Sequence, residues 1–227
     1  MKFSKFTPNE TVFGFIYFLL QLLIIPGILL AINMMLPNPM PEAMVNVWFF
    51  AANFLVVLIL FRRFLGKNLR VVREHPWHVL RWAGVGLLIY MAGNGIFTFV
   101  TTAFFPGFAN INDTAIMEMV QENFGLMTLG TVVFVPLAEE CFYRGLIFRG
   151  LYDKSAVFAY ILSMVLFSLA HVVGYVTMAD FGTLVLCFFQ YLPAGFALAW
   201  CYRRSGCIYA PILVHMAVNQ TGMLLMR

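Results

Sequence analysis

A chain of 227 residues that is 62% hydrophobic and only 11% charged lies far outside the soluble balance of roughly half apolar and a quarter charged. It is expected to be an all-α, polytopic transmembrane helical bundle, a single membrane domain over residues 1–227 with no appended soluble domain. The formal charge of +4 does not point to nucleic acid, because the basic residues fall between apolar runs and follow topology.

The chain opens MKFSKFTPNE, and the apolar run that follows exceeds the roughly 7 to 15 residues of a cleavable signal, with no small-x-small site after it. It is therefore expected to remain as span one, over 12–35. A hairpin through Pro37, Pro39 and Pro41 leads to span two, over 44–61. Next comes the densest basic stretch, Arg62, Arg63, Lys67, Arg70, Arg73 and Arg81, interleaved with Leu69, Val71, Val72, Trp77 and Trp82. This pattern belongs on the cytoplasmic membrane surface, where His75 and His78 read as solvated interfacial residues. Span three, over 83–104, is followed by a loop carrying Asp113, Glu118 and Glu122, with a short amphipathic helix expected over 114–122. Spans four to seven are expected over 125–149, 156–176, 183–202 and 207–225.

With the N terminus cytoplasmic, this seven-span count puts all but two of the 14 Lys and Arg residues inside. Arg144 lies within the membrane and Arg227 outside. No internal repeat is visible. Cys141, Cys187, Cys201 and Cys207 sit in or beside apolar stretches without paired spacing and read as small packing residues.

Span four contains the interruption that matters, VPLAEECFYRG over 135–145. A central charge costs about 2.5 to 3.5 kcal/mol on insertion scales, so Glu139, Glu140 and Arg144 require partners inside the bundle. Glu140 and Arg144 are four apart and are expected to form an intrahelical ion pair, while Glu139, turned about 100° away, stays available. Pro136 cannot donate to the Val132 carbonyl and is expected to bend the helix. Phe167 and His171 on span five, and His215 and Asn219 on span seven, repeat the i, i+4 spacing. Each alone reads as an ordinary core histidine or as polar glue between helices.

Counted from the cytoplasmic ends, Glu139 and His215 come out about 13 to 15 Å deep, and His171 and Asn219 about 5 to 10 Å further. The four can converge around one water, in a site expected to open toward the cytoplasm. A carboxylate and an imidazole can take a proton from that water, and imidazole and carboxamide N–H groups can hold the resulting oxyanion. Such a set hydrolyses a peptide bond without a covalent intermediate.

The ordered triplet E-E-x-x-x-R (Glu139, Glu140, Arg144), F-x-x-x-H (Phe167, His171) and H-x-x-x-N (His215, Asn219) resembles the CPBP, or Abi, family. Its members are CAAX proteases and bacteriocin-processing enzymes, including the type 2 CAAX prenyl endopeptidase. The resemblance covers 125–222 as a catalytic core of spans four to seven, with accessory spans and the basic segment over 1–124. It implies an intramembrane endopeptidase in which Glu139 and His171 activate water and His215 with Asn219 forms the oxyanion site. Glu140, Arg144 and Phe167 would support that site. No cofactor is expected; the alternative is zinc on Glu139, His171 and His215, against which stand the absence of H-E-x-x-H and the poor ligand quality of Asn219. The prenyl endopeptidase has eight spans, so an eighth is the alternative count here.

The expected setting is a prokaryotic cell membrane. The expected partner is a peptide or membrane-protein substrate, lipidated or not, in peptide maturation, bacteriocin processing, self-immunity or CAAX-type processing. Two other readings stay open: a non-catalytic immunity or scaffold protein, and a proton-coupled transporter using Glu139, Glu140 and His171 as a relay.

Overall fold

Helix α1 (Pro8–Leu23) starts where the sequence supplies a capping box: Thr7 and Glu10 each bond the other's backbone N–H. The computed structural model describes residues 3–227, and the regular elements among them are all helical. The expected first span is broken. Pro26 has no N–H to donate and its ring crowds the carbonyl of Leu22, so α1 and α2 (Ile25–Met35) meet at 45°.

Helix α3 (Glu42–Leu60) leads directly into α4 (Arg62–Glu74), an amphipathic helix. It buries Phe64, Leu65 and Asn68 and exposes Arg62, Arg63, Lys67 and Arg70. Helix α5 (Pro76–Phe104) begins earlier than expected because Pro76 suits a first helical position. It therefore takes in His78, which is not simply solvated: its Nε2 lies 3.1 Å from the Ser205 carbonyl. Helix α6 (Ile111–Glu122) is capped by the Asn110 side chain. Helix α7 (Phe124–Tyr152) is continuous but contains π-type turns over Leu129–Phe134 and Cys141–Phe148. Helix α8 (Ala156–Ala170), a short turn (Val173–Tyr175), α9 (Phe181–Ser205) and α10 (Tyr209–Leu225) complete the chain.

Five helices are long and apolar enough to cross a membrane, and the bent α1–α2 pair makes six. At 17 residues, α10 is at the short end of spanning length. The seven spans read from the sequence are thus five or six full-length helices and a shorter seventh, with no eighth among the described residues. The chain is a multi-pass integral membrane protein.

Helix α7 is central, packing against α1, α3, α8 and α10. Helices α5 and α9 approach through glycine: a Cβ on Gly86 would lie 2.8 Å from the Cβ of Cys201, and one on Gly93 2.8 Å from that of Pro193. The four cysteines are all buried and unpaired. The basic end is fastened by polar bonds: Glu10 Oε1 accepts from the Phe64 N–H at 2.9 Å. Asn68 Oδ1 accepts from the Ile208 N–H at 2.9 Å, while its Nδ2 donates to the Phe64 carbonyl. Asn68→Leu leaves the buried Ile208 N–H without its acceptor and should lower stability by about 1–3 kcal/mol. Thermal unfolding in detergent micelles measures this, and an unchanged midpoint would show that Asn68 does not fasten α4 to the α9–α10 turn.

Candidate active site

The site is built outward from Arg144, which is fully buried on α7. Its Nη1 donates to Glu140 Oε1 at 3.1 Å and its Nη2 to the Gly195 carbonyl of α9 at 3.4 Å. The guanidinium carbon lies 4.4 Å above the ring of Phe167 on α8. The expected ion pair is therefore present, and Glu140 is sealed with it. The same Glu140 oxygen accepts from Nδ1 of His215 on α10 at 2.9 Å. A carboxylate only accepts, so Nδ1 carries the hydrogen and Nε2 is turned toward Glu139, 3.9 Å from its Oε2.

Glu139 differs from its neighbour as the 100° offset requires. Its side chain is 25% exposed, it lines a cavity of about 810 Å³, and its Oε2 meets no hydrogen-bond donor among the described residues. His171, His215 and Asn219 line the same cavity, so the four sequence-predicted residues share one space. Glu140 and Arg144 stand behind it.

His171 is not in the interior of a continuous span. Helix α8 stops at Ala170, and the His171 N–H reaches back to Ser168 in a tight turn. Its Nδ1 lies 2.8 Å from the Phe167 carbonyl, which can only accept, so Nε2 is left as the free lone pair. Phe167 packs against the imidazole at 4.6 Å, as the i, i+4 spacing implied, and Tyr191 of α9 stacks on it at 4.2 Å.

Pro136 acts differently from the expected bend. The Val135 N–H bonds to Gly130, five residues back, in the first π-type turn of α7. That register would next pair Thr131 with the nitrogen of Pro136, which has no hydrogen. Asn219 supplies the missing donor: its Nδ2 reaches the Thr131 carbonyl at 2.7 Å. One carboxamide N–H of Asn219 is thereby engaged and the other is not.

Sequence reasoning left Asp113 among loop charges and gave Tyr191 and Gln190 no role. Asp113 on α6 accepts from the Tyr191 hydroxyl at 3.2 Å and from Gln190 Nε2 at 3.3 Å, so it fixes the ring that stacks on His171. Asn112 Nδ2 donates to the same hydroxyl at 2.9 Å. Burial pushes the Asp113 carboxyl above the usual range, and the bonds from Tyr191 and Gln190 oppose that shift. Only the amphipathic pattern of α6 could have hinted at an inward Asp113.

As a zinc set, Glu139, His171 and His215 fit poorly. Among the described residues no three His, Cys, Asp or Glu side chains are gathered closely enough to hold a metal ion. His215 Nδ1 is already bound to Glu140. The opening also differs from the expected cytoplasmic one. From Glu139 the cavity runs to Asn112, Met119, Tyr175 and Met226, toward α6 and away from α4. The α4 end is filled by Phe61, Phe64, Phe142, Phe148 and Tyr202, each at most 2% exposed.

The family profile described as Type II CAAX prenyl endopeptidase Rce1-like matches residues 121–221, which hold every one of the motif residues. The "Putative membrane peptidase YdiL" of Bacillus subtilis (strain 168) is 30% identical over 173 residues, 75% of this chain and 66% of that protein. The "UPF0177 protein YxdF" of Lactococcus lactis subsp. lactis (strain IL1403) is 31% identical over 90 residues, 40% of this chain and 44% of that protein. The chain thus spans just under two thirds of the first relative's length and under half of the second's. No solved structure matches. An integral protein of a prokaryotic membrane, like these bacterial relatives, the chain belongs to the CPBP, or Abi, family to which the type II CAAX prenyl endopeptidases belong.

Proposed function

We propose that the chain is an intramembrane endopeptidase that cleaves a peptide bond with water activated by Glu139 and His171. The observation that carries this reading is the buried, unpartnered Oε2 of Glu139 in the cavity shared with His171, His215 and Asn219. A buried carboxylate oxygen without a donor is costly unless its lone pair has another use. The name of the Bacillus relative, a membrane peptidase, points the same way.

The water oxygen attacks the scissile carbonyl carbon while one water proton passes to Glu139 or to the free Nε2 of His171. The carbonyl electron pair moves onto oxygen. That oxyanion is held by the second Nδ2–H of Asn219 and by Nε2 of His215 when the ring carries both protons. The sealed Glu140 lies against such a ring and Arg144 keeps that carboxylate in place. Collapse breaks the C–N bond, the stored proton goes to the leaving nitrogen, and a new carboxyl and a new amino terminus separate. The chain's own residues suffice for every step, so none is routed through a metal. Peptide maturation, bacteriocin processing, self-immunity and CAAX-type processing all use this reaction.

A non-catalytic immunity or scaffold role is the second reading, favoured by one observation: Asn219 is engaged structurally with Thr131. Two variants separate the readings. Glu139→Gln should lower cleavage about 10²–10⁴-fold while the protein still inserts. Quantitative mass spectrometry of peptides from cells carrying the native or the variant protein reads this, and identical peptide sets would eliminate the enzyme. Asn219→Ala should lower kcat on a peptide so identified by about 10²–10³-fold. It should also cost about 1–3 kcal/mol of stability through the Thr131 carbonyl. A change in stability alone would leave Asn219 as glue.

A further inference from the structure

We infer that substrate enters the cavity sideways between α5 and α10, in the membrane half remote from the cytoplasm, and is a membrane-anchored polypeptide cut on that side. What is cut rests on the proteolytic reading above; the side and the entrance rest on charge and cavity shape.

The basic residues gather at one end of the bundle. Arg62, Arg63, Lys67 and Arg70 lie exposed along α4, Arg203 and Arg204 close α9, and Lys5 pairs with Asp153 at 2.6 Å. Contacts already described hold these pieces together: Glu10 to Phe64, Asn68 to Ile208 and His78 to Ser205. The opposite end carries Glu42, Glu118, Glu122 and Asp180. The positive-inside bias sets the basic end in the cytoplasm, with α4 lying on the anionic inner leaflet.

The mouth of the cavity is marked by residues that both line it and are exposed. On α5 these are Met91, 58% exposed, and Gly95; on α10 they are Thr221 and Leu225, the latter 83% exposed. Met91 and Gly95 lie about 22 and 28 Å along α5 from its basic end, in the outer half of the helix. Approach from the cytoplasm is blocked by the packed aromatic residues of that end. Approach along the bundle axis from outside is covered by α6, which is tied on both flanks. Asp113 bonds Tyr191 and Gln190 of α9, and Glu122 accepts from the Ala43 N–H of α3 at 3.3 Å. The lateral gap remains.

Its chemistry suits a chain arriving from lipid. Met91 and Leu225 present hydrocarbon at the rim, whereas Asn46, Asn94, Asn112 and Gln190 line the interior. An apolar segment can leave the bilayer without desolvating charge, and the amides can pair with the backbone groups it exposes on unwinding.

Two pairs of variants in intact cells test this. Glu118→Cys and Lys67→Cys place thiols on exposed positions at opposite ends, against a background of four buried native cysteines. A membrane-impermeant maleimide should label the first in intact cells and the second only in inverted vesicles; the reverse pattern would overturn the assignment of side. Gly95→Trp fills the mouth at a position with open space around it and should reduce cleavage at least tenfold at unchanged thermal stability. Gly66→Trp, in equally open space on α4, should cleave at the native rate. Native-rate cleavage by Gly95→Trp, or equal loss in both, would overturn the lateral entrance. Failure of the protease itself shows separately, as no difference in peptides between native and Glu139→Gln cells, while the thiol pattern still reports the side.

Discussion

The buried chain of contacts from Arg144 through Glu140 to His215 is the constraint on which the rest of the molecule depends. A guanidinium with no exposed surface is tolerated only where every direction around it is answered. Glu140 answers from α7 itself, the Gly195 carbonyl from α9, the face of Phe167 from α8, and His215 reaches the shared carboxylate from α10. Four helices are thus fixed by one side chain. Removing a member of such a set leaves an uncompensated charge worth about 3–5 kcal/mol. The same contacts set the ring of His215 and pack Phe167 beneath His171, so stability and site geometry are not separable here.

What was legible in the sequence was local. The i, i+4 spacings place Glu140 on Arg144 and Phe167 under His171, and the 100° offset leaves Glu139 free, because helical geometry alone settles such relations. The basic amphipathic stretch was legible as α4 for the same reason. Relations set by tertiary packing were not. Asp113 and Tyr191 stand 78 residues apart, and no periodicity links them. Hydropathy sees composition and not direction, so it joined α1 to α2 across Pro26 and carried α8 past His171. The direction of the cavity was misread because depth counted along isolated helices ignores which end of the bundle is filled by aromatic side chains.

Pro136 illustrates how a local rule can survive in a changed form. The rule says that a proline orphans a carbonyl, and a carbonyl is orphaned; the π-type register moves it from Val132 to Thr131. A carboxamide from another helix then satisfies it. The wider turn has a second effect, since it keeps α7 continuous through a proline that would otherwise kink it just before Glu139 and Glu140. The backbone irregularity and the placement of Asn219 are two sides of one accommodation.

Adjacent carboxylates in a membrane helix look redundant, yet one residue could not hold both environments found here. A group that anchors a buried arginine must be sealed, with its oxygens committed to fixed donors. A group that takes a proton from water must keep an uncommitted oxygen and reach a cavity. Consecutive positions on a helix point about 100° apart, enough to set one carboxylate in the core and the other at the cavity wall while the backbone between them stays rigid. His215 spans the division, with Nδ1 on the sealed carboxylate and Nε2 turned to the open one. The orientation of an imidazole at the proposed site is therefore dictated by an ion pair that never meets the substrate.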